Sequence, residues 1–217
     1  MRHPDDSLLV AYSAGTLSAA EDLLLATHLS RCAQCTAQAT LLDEIGGSWL
    51  ADNAGASDET EALSQMLDRL DEPAPPQPQP PPPLAPAFEG IGLPEPLRST
   101  LARTGVQRWQ TVLPGLVQQV TLPIRWRGAP VRITRVRGGF RVPKHTHRGR
   151  ELNLVLAGGY RDQAGGFGPG DIAENDEDVT HELHIDPGED CIILAVNEHP
   201  LVPVGIISSM VSALTGF

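Results

Sequence analysis

Residues 73–86 read PAPPQPQPPPPLAP, and nine of the fourteen are proline. Proline lacks a backbone N–H and fixes φ, so such a run joins neither a helix nor a sheet ladder and extends as polyproline II. The chain is therefore expected to form two domains, residues 1–72 and 87–217, with 73–86 as a linker. Docking of the run on a proline-reading module is the other use of such a segment. A total of 217 residues is enough for two small domains.

The text on the two sides differs in period. Before the prolines it is helical. Ser7–Ala14 reads as a first helix stopped by Gly15, and Ser18 with Glu21 forms a capping-box pattern ahead of Leu23, Leu24 and Leu25. A third helix starts around Cys32 and Cys35. It carries Ala37, Leu41, Leu42, Ile45 and Trp49 at helical spacing, and Gly46-Gly47 weakens its end. After a gap at Asp52–Ala56, Leu63, Met66, Leu67 and Leu70 form an apolar stripe on a fourth helix over Ser57–Leu70. That stripe suits packing within its own domain or on a partner. After the prolines come short alternating or β-branched runs: LVQQVTLPI, VRITRVRG, ELNLVLAG, GDIAEN and CIILAVN, separated by Gly, Pro and Asp. The expected fold class is α + β in two domains, an all-α helical bundle followed by an antiparallel β-barrel or sandwich.

Charge is unevenly shared. Residues 1–72 hold 3 Lys/Arg and 13 Asp/Glu, a net of −10, and residues 73–217 hold 13 and 14, a net of −1. An acidic helical part disfavours direct contact with nucleic acid and suits a basic protein partner, or simply a solvated surface. MRHPDDSLL has no signal-peptide character, and the apolar tail Leu201–Phe217, with 17 residues, falls short of the ~20 needed to cross a bilayer. No membrane association is expected, and the reading is cytoplasmic. The 3 cysteines do not form a disulfide framework and stay available as thiols.

The first chemical cluster is HLSRCAQC. His28, Cys32 and Cys35 fall at i, i+4 and i+7, one side of a helical turn, and imidazole with thiolates at short spacing favours Zn²⁺. Four ligands close a tetrahedron. Cys191 lies beyond the linker in an apolar run, so His3 is the expected fourth, tying the entry to the first helix onto the junction of the second and third. Such a site is structural or redox-sensitive. A redox CxxC pair is the competing reading, but no βαβ context accompanies it.

The second cluster is GFRVPKHTHRGRELNLVLAG. His145 and His147 share one side of a strand, and Glu151 follows. The spacing G-x5-H-x-H-x3-E-x6-G, from Gly139 to Gly158, resembles the first cupin motif at every fixed position. Of the second cupin motif only Gly170 and His181 match, which makes His181 the fourth expected ligand and puts His184 out of register. His184 is expected as a surface or outer residue and His199 as a loop residue. Three imidazoles and a carboxylate suit Zn, Fe, Mn, Ni or Cu. The arginines of 125–150 and the acids of 171–190 either pair across the barrel or form separate faces.

A histidine before the first helix, then H-x-x-x-C-x-x-C between the second and third, resembles the zinc-binding anti-sigma factors. LLVAYSAGTLS followed by ATHLSRCAQC is most similar to their ChrR-type members, which carry a C-terminal cupin. The resemblance covers Met1 to about Trp49, and the fourth helix by position. It implies zinc on His3, His28, Cys32 and Cys35, and favours zinc at the cupin. It also implies a 1:1 complex that masks an extracytoplasmic-function sigma factor, with the cupin sensing oxidative stress of the singlet-oxygen type. On this reading the protein is a regulator, not an enzyme. Pro4, which holds His3 extended, departs from the pattern. The alternative is a metal-dependent cupin dioxygenase or isomerase with a regulatory zinc module, which predicts turnover by residues 87–217 alone.

Overall fold

The structure is a computed structural model that describes residues 1–53, 59–71, 82–106, 108–199 and 202–203. The helical part contains α1 (Asp6–Ser13), α2 (Ala19–Leu29), α3 (Ala33–Asn53) and α4 (Glu59–Asp68), the last continued by a 3₁₀ turn at Arg69–Asp71. Asp5 caps α1, its carboxylate accepting the Ser7 N–H at 2.8 Å, and Gly15 takes φ +65° just past its end. The Ser18–Glu21 capping box forms in both directions, at 3.3 and 3.1 Å. Gly46-Gly47, which the sequence reads as weakening the end of the third helix, lie within α3, and the helix runs through them to Asn53. Each glycine costs only about 1 kcal/mol against alanine and deletes no ladder bond, so a long helix carries on. Ser57, the expected start of the fourth helix, lies outside the described residues.

α2 is buried over most of its circumference past its acidic first turn. Leu23, Leu24 and Leu25 are successive and all buried. Three consecutive helical positions span most of the circumference, so neighbours must cover them on several sides. α1 and α3 cover one side, and the β-rich part covers the other.

The β-rich part opens with helical structure that the sequence did not single out. A 3₁₀ turn (Pro86–Phe88) and α5 (Glu95–Thr104) precede the first strand. Pro96 lies in the first turn of α5, where proline is tolerated, Leu97 and Leu101 form its buried side, and Gly105 ends it at φ +68°. The strands are β1 (Gln110–Leu113), β2 (Val117–Trp126), β3 (Ala129–Val136), β4 (Arg141–Thr146), β5 (Glu151–Ala157) and β6 (Tyr160–Asp162). They continue as β7 (Gly165–Phe167), β8 (Ile172–Asn175), β9 (Thr180–Ile185), β10 (Cys191–Asn197) and β11 (Val202–Pro203). They form two antiparallel sheets, β1-β2-β3-β10-β5-β8 and β11-β4-β9-β6-β7, a sandwich of six and five strands. Pro123 sits where the β2–β3 register shifts between Thr121 and Arg125, the bulge that a proline in a strand requires. Of the expected polyproline run 73–86, residues 73–81 lie outside the described residues and Pro86 opens the 3₁₀ turn; the 201–217 tail apart from β11 also lies outside them.

The two parts pack directly on each other. One continuous apolar cluster joins Leu8, Leu9, Leu24 and Leu25 to Leu97, Leu122, Val131 and Leu194, with Ala85 and Phe88 buried in it. A second lies between the sheets around Val155, Tyr160, Phe167 and Cys191. Among the described residues, no helix is long and apolar enough to cross a membrane. Because Leu24 is fully buried between the two parts, Leu24→Ala should lower stability by about 3 kcal/mol, in one transition seen equally by helical and β-sheet circular dichroism. Loss of the helical signal alone would show that the parts are energetically separate.

Candidate metal centres

The structure brings together the four residues of the first expected cluster and the three histidines of the second, with Glu151 beside His147. His28 lies in the last turn of α2, Cys32 just before α3 and Cys35 in its first turn. His3 reaches them from the extended segment ahead of α1, its Nδ1 3.2 Å from Cys35 Sγ and 3.5 Å from Cys32 Sγ. The extended backbone that Pro4 demands is what brings it there. One candidate ligand atom from each of the four residues lies within 4.8 Å of all the others. Tetrahedral Zn²⁺ with bonds of about 2.0–2.3 Å asks for neighbours roughly 3.3–3.8 Å apart, so the cluster needs only a small contraction.

The buried polar atoms fit a cation. His28 is fully buried, and its Nδ1 lies 2.8 Å from the Gly170 carbonyl oxygen. A carbonyl only accepts, so Nδ1 carries the proton and Nε2 presents a lone pair. That Nε2 is buried with no hydrogen-bond partner. A ring held by a carbonyl at one nitrogen and open at the other is the arrangement of a metal-ligating histidine. Burial, with Cys32 beside it, pushes the Cys35 thiol up to about 12. An uncompensated thiolate is unfavourable there, and a dication would offset that cost. Bound Zn²⁺ would supply a folding cross-link among these four side chains.

In the sandwich, His145 and His147 come from β4 and the turn after it, and His181 from β9. All three are buried, with candidate ligand nitrogens within 4.8 Å of one another. The register shift between Val142 and His145 turns the strand at Pro143, whose carbonyl accepts His145 Nδ1–H at 2.8 Å. His181 Nδ1 donates to Asp162 Oδ2 at 3.1 Å. Both rings are thereby held with Nε2 inward. His147 Nε2 is 3.1 Å from His181 Nε2 and 3.3 Å from Glu151 Oε2. Burial pulls the imidazoles of His145 and His147 down to about 4, so they are neutral near pH 7, as metal ligands must be.

Glu151 is placed by two amides that the sequence did not single out. Asn175 Nδ2 donates to Oε2 at 2.9 Å and Asn197 Nδ2 to Oε1 at 3.1 Å. Asn175 and Asn197 face Glu151 across β8 and β10 respectively, so only the strand register reveals them. Asp162 was likewise invisible in the sequence. His184 stays out of the cluster and pairs with Glu182, and His199 is exposed. Cys191 is buried between the sheets, away from both clusters. The arginines and acids form specific pairs, Arg135 with Asp190 and Arg150 with Glu174, each at 2.7 Å.

Comparison with known proteins agrees with this arrangement. The ChrR cupin-like domain family matches residues 98–201, which include His145, His147, Glu151 and His181. A curated relative, the anti-sigma-E factor ChrR of Cereibacter sphaeroides, is 40% identical over 203 residues, 92% of this chain and 90% of its own length. The chain belongs to the ChrR family. Among solved structures, Rhodobacter sphaeroides SigE in complex with the anti-sigma ChrR aligns at TM-score 0.72 and 37% identity, covering 91% of this chain and 98% of that one. The helix–cupin order is thus shared with ChrR along nearly the whole chain.

If each cluster holds one metal, the purified chain should carry about two zinc equivalents by elemental analysis. Cys35→Ser should remove one and His147→Ala the other, and Cys35→Ser should also cost several kcal/mol of stability. Full zinc content in Cys35→Ser would contradict the first assignment.

Proposed function

We propose that this protein is an anti-sigma factor, a regulator rather than an enzyme, acting in the cytoplasm. Residues 1–72 would bind one extracytoplasmic-function sigma factor in a 1:1 complex, with 73–86 as linker and 87–217 as the cupin. Zn²⁺ would be held by His3, His28, Cys32 and Cys35, and a second divalent metal by His145, His147, Glu151 and His181. Family membership supports the reading, and the relative of known structure was solved with its sigma factor.

The observation that carries it is the exposed apolar surface of the third and fourth helices. Ile45 and Trp49 on α3, and Leu63, Met66 and Leu67 on α4, all face solvent, as does Leu70 just beyond, and Trp49 and Leu70 are 67% and 75% exposed. An apolar stripe of this size on an acidic segment fits a basic protein with an apolar groove. The same charge disfavours direct nucleic-acid contact.

The cupin would sense oxidative stress of the singlet-oxygen type and promote release. Loss of a thiolate at Cys32 or Cys35 by oxidation, or a change at the cupin cluster, would shift the bound–free balance.

The test is binding of the full chain to a purified sigma factor of this class. A 1:1 complex is expected. Leu67→Glu should weaken it by about 30-fold or more, ~2 kcal/mol, with zinc content unchanged. Absence of a complex, or full affinity in Leu67→Glu, would contradict the proposal. His145→Ala should keep the complex but show a smaller release under singlet oxygen, and a wild-type release would remove the cupin from the response.

A further inference from the structure

Strand β8 is at the edge of the six-stranded sheet, paired with β5 on one side only. Its outer edge is not bare, because the segment around His3 lies along it. Ile172 N–H donates to the Arg2 carbonyl at 3.2 Å. Arg2 N–H donates to Asp171 Oδ1 at 2.6 Å, and Asp5 N–H to Glu174 Oε1 at 2.8 Å. The Arg2 guanidinium donates to the Ala164 carbonyl and sits 4.2 Å above the Phe167 ring. His3 is therefore bracketed on both sides by backbone groups fixed to the cupin. His28, from another element, is held by Gly170, just before the strand. Gly170 has φ +93°, a conformation open to glycine, and this aims its carbonyl at the ring.

The inner edge of the strand serves the other cluster. Asn175 pairs with Glu151 in the β5–β8 register, and its amide holds Glu151 Oε2. Glu174 faces both ways: Oε1 takes Asp5 N–H, and Oε2 takes the guanidinium of Arg150, the residue before Glu151. Within six residues, 170–175, every hydrogen-bonding group named here holds a ligand of one cluster or a residue within two positions of a ligand.

We propose that β8, with Gly170 and Asp171 leading into it, is a shared positioning strut for both clusters, so that the metal affinity of the thiolate cluster depends on order at the cupin cluster through Asn175, Glu174 and Ile172. The strand is short and is paired to the sheet on one side, so displacing Glu151 shifts Asn175 and with it the amides and carbonyls that orient His3 and His28. The coupling runs through hydrogen bonds already in place and needs no movement across the proline run. It rests on the metal assignments proposed above. Asp171, Glu174 and Asn175 act on the metal only indirectly, Asn175 through Glu151 and the other two through chain segments that carry His3 and Glu151.

Cobalt makes the two clusters distinguishable, because only Cys32 and Cys35 can give a thiolate-to-cobalt charge-transfer band. The full chain, loaded with Co²⁺, is mixed with excess chelator and the decay of that band is followed. Asp171→Ala, which removes the carboxylate that accepts the Arg2 N–H beside His3, should accelerate the decay about tenfold, the lower end of the effect of removing an outer support of a ligand. Asn175→Ala should do so by a similar factor although it touches only the cupin ligand, and Asn175→Asp should not rescue it, since a second carboxylate repels Glu151. Unchanged sheet circular dichroism in Asp171→Ala and Asn175→Ala guards against general unfolding. Wild-type decay in Asn175→Ala, with the band present, overturns the strut while leaving the metal assignment standing. No band in the wild-type chain overturns the assignment itself.

Discussion

The hydrogen bond from His28 Nδ1 to the Gly170 carbonyl is the contact on which the rest of the arrangement turns. It joins a helix of the amino-terminal part to the backbone of the sandwich. It also fixes the tautomer of a fully buried imidazole and leaves the opposite nitrogen facing two thiols and His3. One such bond is worth only about 1 kcal/mol in net stability, but breaking it strands a buried donor and frees the ring to rotate. Its importance lies in orientation rather than energy. Most of the energy comes from the apolar cluster around α2, whose three consecutive buried leucines require cover on both sides.

Two parts that share a core behave differently from two parts on a tether. A metal site on a free helical bundle would sense only its own ligands. Here the residues of the thiolate cluster are braced by the edge of a sheet that holds a second cluster of imidazoles, which is the basis of the proposed coupling. The apolar side chains exposed on α3 and α4, the proposed partner surface, are not among the residues that brace the clusters.

Much of the chemistry was legible in the sequence, because it is local. The spacing of His28, Cys32 and Cys35 is fixed by helical turns, and the Ser18–Glu21 box by three residues of backbone. His145, His147 and Glu151 lie within seven residues, and the strand text of β2, β3, β5, β8 and β10 alternates or is β-branched as half-buried strands require. What was not legible is what depends on register between distant strands. Asn175 and Asn197 meet Glu151 only because β8 and β10 flank β5, and Asp162 reaches His181 only through the pairing of β6 with β9. α5 escaped notice because it is short, begins at prolines and shows only two buried leucines. The proline run suggested separation, while the packing of α2 on the sandwich, a matter of three-dimensional cover, decided the outcome.

The most direct measurement is amide hydrogen exchange at Ile172, the strand N–H that bonds to the Arg2 carbonyl, in the full chain with zinc bound and after chelation. The account predicts that protection of this amide falls at least about tenfold when metal is withdrawn, since the segment around His3 is then released from the edge of β8. Equal protection in the two states would mean that the sandwich edge does not register the state of the thiolate cluster, and would contradict the central claim.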